Sequence, residues 1–134
     1  MPVLRSERLP IRSQADVVAV RQSTREGAQK QGFSLVDQTK MVTAASELAR
    51  NTLLYGGGGE VELELLQEGI RKGVRLRFMD EGPGIADIEQ ALKDGYTSGG
   101  GLGLGLGGAR RLVNEFDIQS RPGEGTTVTI TRWK

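Results

Sequence analysis

Apolar positions along the chain recur with two different periods, and the switch between them divides the sequence into elements. From Ala15 to about Gln31, Val17, Val20, Thr24 and Ala28 return every three or four residues, with Ser13 and Asp16 at one end and Gly32 just past the other. That spacing predicts an amphipathic helix with its own start and stop signals. A second helix is predicted from about Val36 to Leu54, where Met41, Val42, Ala45, Leu48, Ala49, Thr52 and Leu53 form one stripe and Gly56 to Gly59 halt it. The period then falls to two. Val61, Leu63 and Leu65 alternate with Glu60, Glu62 and Glu64, and Val74, Leu76 and Phe78 alternate with Arg75 and Arg77, the pattern of half-buried strands. Their turn falls near Glu68 to Lys72. The acidic face of the first strand is set to meet the basic face of the second, which would fix the register.

The remaining segments complete the order. Val3 to Arg12 reads as an edge strand, because Pro10 cannot donate to a ladder. After the hairpin come a short helix from about Ile88 to Lys93, a glycine-rich loop, and a helix from about Leu106 to Glu115. Strands at Ile118 to Arg121 and Thr126 to Trp133 follow, turned by Pro122-Gly123-Glu124-Gly125. Strand, two helices, hairpin, two helices, hairpin predicts an α+β two-layer sandwich: a mixed, mostly antiparallel sheet with helices on one face.

Composition narrows the chemistry. A chain of 134 residues suits a single domain spanning residues 1–134. Eighteen Lys and Arg against seventeen Asp and Glu leave a net charge of +1, too little to draw in a nucleic acid by its field alone. With no Cys and no His, thiol catalysis, disulfides, thiolate or imidazole metal sites and a phosphohistidine on this chain are all excluded. No apolar run approaches the roughly 18 residues of a membrane span, and no basic segment leads into an apolar stretch as in a signal peptide. The expected location is the cytoplasm.

The twenty glycines change the picture most, because they cluster at 56–59, at 82 and 84, between 99 and 108, and at 123 and 125. Such clusters mark backbone that turns sharply or lies close to something. Four candidate elements contain or adjoin them. Glu47 and Asn51 stand four apart, one above the other on the second helix; a carboxylate and a carboxamide so placed can orient or deprotonate a hydroxyl and ligate a hard cation. Such a pair is more often solvated helix surface. Asp80-Glu81-Gly82-Pro83-Gly84 follows a strand and holds an acceptor beside bare backbone, as a flat ligand would need, although a tight Asx turn explains it equally well. Gly99 to Gly108 leads into a helix and offers unobstructed N–H groups to an anion. Its G-x-G-x-x-G is not a dinucleotide fingerprint, since no βαβ unit surrounds it, and no P-loop is present. Gly123-Glu124-Gly125-Thr126 is adequately explained as a hairpin turn, but Thr126 opens a strand that can lie beside Asp80.

In this order the four elements resemble the N, G1, G2 and G3 boxes of the GHKL (Bergerat-fold) ATPases, the superfamily of gyrase, Hsp90, bacterial histidine kinases and MutL. The resemblance covers about Thr43 to Thr126. Within it, Glu47-Leu-Ala-Arg-Asn51, Leu54-Tyr55, Asp80-Glu-Gly-Pro-Gly84-Ile85 and Gly99-Gly-Gly-Leu-Gly103 are most similar to the RsbT-type serine/threonine switch kinases of the stressosome, with anti-sigma factor kinases as near relatives. The resemblance implies ATP and Mg2+ as ligands. It places the nucleotide among Asn51, Asp80, Gly82, Gly84, Ile85, Gly99, Gly100, Gly101, Leu102, Gly103, Leu104, Gly105 and Thr126. Asn51 would ligate the magnesium and Glu47 would act as general base. Asp80 would accept from the adenine amino group, with Thr126 supporting it through water, and the glycines at 101, 103 and 105 would donate to the phosphates from a short lid at roughly 86–98.

The implied activity is phosphorylation of a serine or threonine on a STAS-domain regulatory partner, in a partner-switching pathway that controls a sigma factor. A second partner, a phosphatase activated by binding, is implied on the same ground. The alternative is a non-catalytic, ATP-dependent binding regulator such as an anti-sigma factor. A histidine-kinase catalytic domain is disfavoured by the lack of His, and a free-standing ATPase would need no partner at all.

Overall fold

Two serines start the long helices by the same device. In a computed structural model of the chain, which describes residues 3–92 and 105–134, the Ser13 and Ser34 hydroxyl oxygens accept from the backbone N–H of Asp16 at 3.3 Å and Asp37 at 3.1 Å. Each satisfies a donor that a helix start leaves without a partner. From these caps run α1 (Gln14–Lys30) and α2 (Leu35–Leu54), within a residue of the boundaries the periodicity predicts.

The strands are β1 (Val3–Ile11), β2 (Gly59–Glu68), β3 (Arg71–Asp80), β4 (Glu115–Ser120) and β5 (Thr126–Trp133), in the sheet order β1-β2-β3-β5-β4. All four pairings among the described residues are antiparallel, so the sheet sits at the antiparallel limit of the expected arrangement. The β2–β3 hairpin closes on Gly69 and Ile70, with Gly69 at a φ of 63°, as the first central position of a type II′ turn requires. The expected cross-strand charges meet: Glu62 faces Arg77 at 3.2 Å and Glu64 faces Arg75 at 2.6 Å, and Arg8 of β1 reaches both Glu60 and Glu62 at 3.1 Å. The exposed pairs of Arg8 contribute at most about 1 kcal/mol each. The larger effect of these charges is on register, because a slip of one residue would set this charged face against the core.

The core forms where the helices cover one face of the sheet. Val17 and Val20 of α1 and Met41, Ala45 and Leu48 of α2 pack with Val61, Leu63, Val74, Leu76, Phe78 and Ile130. Full burial of each large side chain stabilises the fold by about 1.5–3 kcal/mol. Two short helices follow β3, α3 (Ile88–Ala91) and α4 (Gly105–Arg111). The last helix was expected to continue to Glu115 but stops at Arg111. Asn114 already donates its N–H to Thr131 at 3.0 Å and accepts from the Trp133 N–H at 2.7 Å, so the sheet claims the backbone before another helical turn can form. Arg132 of β5 secures this corner, donating to the Leu112 carbonyl and to Asp37, each at 2.8 Å. No helix among the described residues is long and apolar enough to cross a membrane.

Candidate functional site

Three of the glycine clusters meet at one end of the sheet. Asp80 is the last residue of β3, and it lies between the end of α2 and the start of β5, where its register partner is Thr126. Gly56, just past α2, leaves no room between helix and carboxylate: a Cβ built there would fall on the Asp80 side chain. Gly82 is equally constrained, since its Cβ would lie 2.7 Å from the Gly56 Cα. The loop after Asp80 is latched to the β4–β5 turn by hydrogen bonds from Gly123 N–H to Pro83 O at 2.7 Å and from Ile85 N–H to the Ser120 hydroxyl at 2.8 Å. Gly84, at a φ of 77°, passes so close to the Arg121 carbonyl that a side chain would collide with it.

These approaches enclose a cavity of about 480 Å³ lined by Leu48, Asn51, Thr52, Tyr55 and Gly56 of the α2 end, Phe78 and Asp80 of β3, and Thr126 and Val128 of β5. Pro83, Gly84, Ile85, Ala86, Asp87, Gln90, Ala91, Gly105 and Leu106 complete the wall. Leucine, phenylalanine, isoleucine and valine side chains form its sides, and a carboxylate stands at one end. Burial pushes the Asp80 carboxyl up from its ordinary range, opposed by hydrogen bonds from the backbone amides of Gly82 and Thr126; the Gly82 bond is 2.9 Å. A slot with apolar sides and, at Asp80, an acceptor held in place by backbone amides suits a flat heteroaromatic ring carrying an exocyclic donor.

Asn51, Asp80, Gly84, Ile85, Gly105 and Thr126 are thus brought to one cavity, and Gly82 supports it from behind. Glu47 is not part of the wall. It is only 2% exposed, one turn before Asn51, with the Arg50 guanidinium 3.6 Å from its carboxylate. The Thr126 hydroxyl pairs with Ser120 at 2.7 Å. Gly99, Gly100, Gly101, Leu102, Gly103 and Leu104 lie outside the described residues. Sequence reasoning missed most of the apolar wall, although strand alternation pairs Phe78 with Asp80 and Val128 with Thr126, and Tyr55 stands one helical turn after Asn51. Ser120, which joins three parts of the site, carries no motif signal.

Residues 36–134 match the family described as histidine kinase-, DNA gyrase B- and HSP90-like ATPase. The chain belongs to this family. Among curated relatives, it is 44% identical over 123 residues to the serine/threonine-protein kinase RsbT of Bacillus subtilis, covering 92% of each chain. It is 31% identical over 101 residues to an anti-sigma F factor of Halalkalibacterium halodurans, covering 72% of this chain and 69% of that one. The structure of the RsbU and RsbW domains of Rv1364c from Mycobacterium tuberculosis aligns with a TM-score of 0.65 at 25% identity, covering all of this chain and 33% of that one. The SiaB-SiaC complex of Pseudomonas aeruginosa aligns with a TM-score of 0.54 at 14% identity and shares the fold. An ATP-binding family agrees with a cavity that sets the Asp80 carboxylate among apolar side chains.

Proposed function

We infer that this protein is an ATP-dependent serine/threonine protein kinase acting on a STAS-domain regulatory partner in a partner-switching pathway, and that a phosphatase or sigma factor is a further partner. The observation that carries the nucleotide part is the cavity that joins Asn51, Asp80 and Thr126 between apolar walls. The 44% identity to a serine/threonine kinase over 92% of both chains supports the phosphotransferase part. In this reading Asp80 accepts from the adenine amino group, and Leu48, Phe78, Ile85 and Val128 cover the ring. Asn51 offers its carboxamide oxygen to Mg2+.

The donor set fits magnesium only as a shared ligand. Magnesium takes one or two protein ligands and completes its shell with phosphate and water; among the described residues no group of three or more His, Cys, Asp or Glu is arranged to hold a metal ion. When bound, Mg2+ would neutralise charge on the triphosphate. The partner hydroxyl attacks the γ-phosphorus as the bond to the bridging oxygen breaks, ADP leaves, and the hydroxyl proton passes to Glu47.

The burial of Glu47 beside Arg50 favours one second reading, a non-catalytic regulator in which ATP only holds a partner-competent shape. Incubation with γ-labelled ATP, Mg2+ and a purified STAS-domain partner separates the two. The kinase reading expects label on the partner, and a loss of at least about 100-fold in Glu47→Gln with ATP affinity retained. An unlabelled partner with wild-type protein that binds ATP leaves the regulator reading standing.

A further inference from the structure

Ser120, the half-buried last residue of β4, stands behind the cavity and touches two residues of its wall. Its hydroxyl accepts from the Ile85 N–H at 2.8 Å, lies 3.1 Å from the Gly125 carbonyl, and lies 2.7 Å from the Thr126 hydroxyl, where either oxygen can be the donor. A serine hydroxyl has one proton and two lone pairs. The Ile85 amide can only donate and the Gly125 carbonyl can only accept, so the Ser120 proton goes to Gly125. Thr126 must then donate to Ser120, the one assignment that satisfies all three contacts. Its proton is committed to Ser120, and its oxygen offers the cavity lone pairs alone. Thr126 faces Asp80 across the β3–β5 register, which makes this part of the wall all acceptor.

We propose that Ser120 determines base specificity: it holds the Thr126 hydroxyl as an acceptor, so that the wall shared with Asp80 takes a purine with a 6-amino donor and turns away a 6-oxo purine. This rests on the nucleotide reading of the cavity. At the 6-position a carbonyl would set its lone pairs against those of Asp80 and Thr126 where a 6-amino group offers N–H, and opposed acceptors of this kind discriminate between ligands. Without the Ser120 oxygen, the Thr126 hydroxyl is free to rotate and donate to the 6-oxo group.

The test is calorimetric titration of the purified chain with ATP and with ITP, each with Mg2+. Ser120→Ala should narrow the ATP-to-ITP preference by about fivefold, the worth of one hydrogen bond, and Ser120→Thr, which keeps a hydroxyl, should preserve it. Ser120→Ala also releases Ile85, so both affinities should fall. A residue that only latches the loop would lower them in step and leave the ratio unmoved, which overturns the proposal. Thr126→Val gives an independent arm should Ser120→Ala fail to fold: it should narrow the same ratio, and a ratio held at the wild-type value overturns the proposal as well. Wild-type protein that binds neither nucleotide overturns the nucleotide reading along with it, whereas ATP binding with an unmoved ratio removes only the role of Ser120.

Discussion

Replacing Asp80 with asparagine separates recognition from architecture, because the two demand opposite things of this side chain. In the wild type one carboxylate oxygen accepts from the Gly82 N–H at 2.9 Å, and burial raises the carboxyl's pKa against the pull of the Gly82 and Thr126 amides. Asparagine keeps the shape and one acceptor but turns the other oxygen into an NH2 donor. The fold gives up a charge that burial already disfavours, so its unfolding free energy should change by less than about 1 kcal/mol. Adenine instead loses a charge-assisted acceptor and meets donor against donor, at a cost of about 1–3 kcal/mol, equivalent to roughly 5- to 150-fold in ATP affinity. Titration with ATP and Mg2+, run beside thermal melts of the same preparations, reads both quantities. Unchanged affinity, or a loss matched by an equal loss of stability, would refute the assignment. The wild type should also lose ATP affinity on acidification from a pH above the ordinary aspartate value of about 3.9, and the asparagine variant should lack that component. Stability runs the other way. A folded pKa raised above the unfolded one makes the contribution of Asp80 complete below the unfolded value and smaller as pH rises through the folded value.

Two further substitutions probe the frame around the cavity. Gly56→Ala places a methyl on the Asp80 carboxyl, so it should lower ATP affinity by at least about 10-fold and stability by about 1–3 kcal/mol, the usual cost of overpacking. Gly57→Ala, at a φ of 73° with open space around it, should cost about 1–2 kcal/mol of stability through the left-handed backbone alone and leave ATP affinity unchanged; equal effects on binding would contradict the packing argument. At the opposite end, hydrogen bonding to Arg132 holds the Asp37 carboxyl below the usual range. Its stabilisation is therefore present above the unfolded pKa and is lost as pH falls through the folded value. Asp37→Asn should cost up to about 1 kcal/mol at neutral pH, as for a partly exposed pair, and should flatten the acid limb of a stability profile measured by urea unfolding between pH 3 and pH 7. An acid limb identical to that of the wild type would discount the pair.

The parts of the fold legible in the sequence are those in which one segment decides its own fate. Val17, Val20, Thr24 and Ala28 face the core because a helix returns them to one side. Glu60, Glu62 and Glu64 face out because a strand alternates. The cross-strand charges went further, since the acidic and basic faces implied the partner strand as well as the strand. The last helix and β4 were misjudged at their shared boundary for the opposite reason. Glu115-Phe116-Asp117 looks no more like strand than helix in isolation, and it is the Asn114 contacts to Thr131 and Trp133 that draw the chain into the sheet. The backbone there answers to residues about twenty positions away.

The same division runs through the candidate site. Asp80, Gly84 and Thr126 were legible because each combines a chemical type with a local turn or strand end, and register then sets Asp80 opposite Thr126. Glu47 and Asn51, read as one unit from their spacing of four, are treated differently by the fold: Asn51 faces the cavity and Glu47 is buried behind it. Four residues advance a helix by slightly more than one turn, so the pair is offset around the axis as well as along it. At the rim of a cavity that offset decides which of the two meets the ligand. On the proposed kinase reading, a base role for Glu47 therefore requires the partner protein or the nucleotide to change what surrounds it. If Asn51 serves binding and Glu47 serves transfer, the two rest on different residues of one helix, and a variant that loses phosphotransfer while retaining ATP would be the direct consequence.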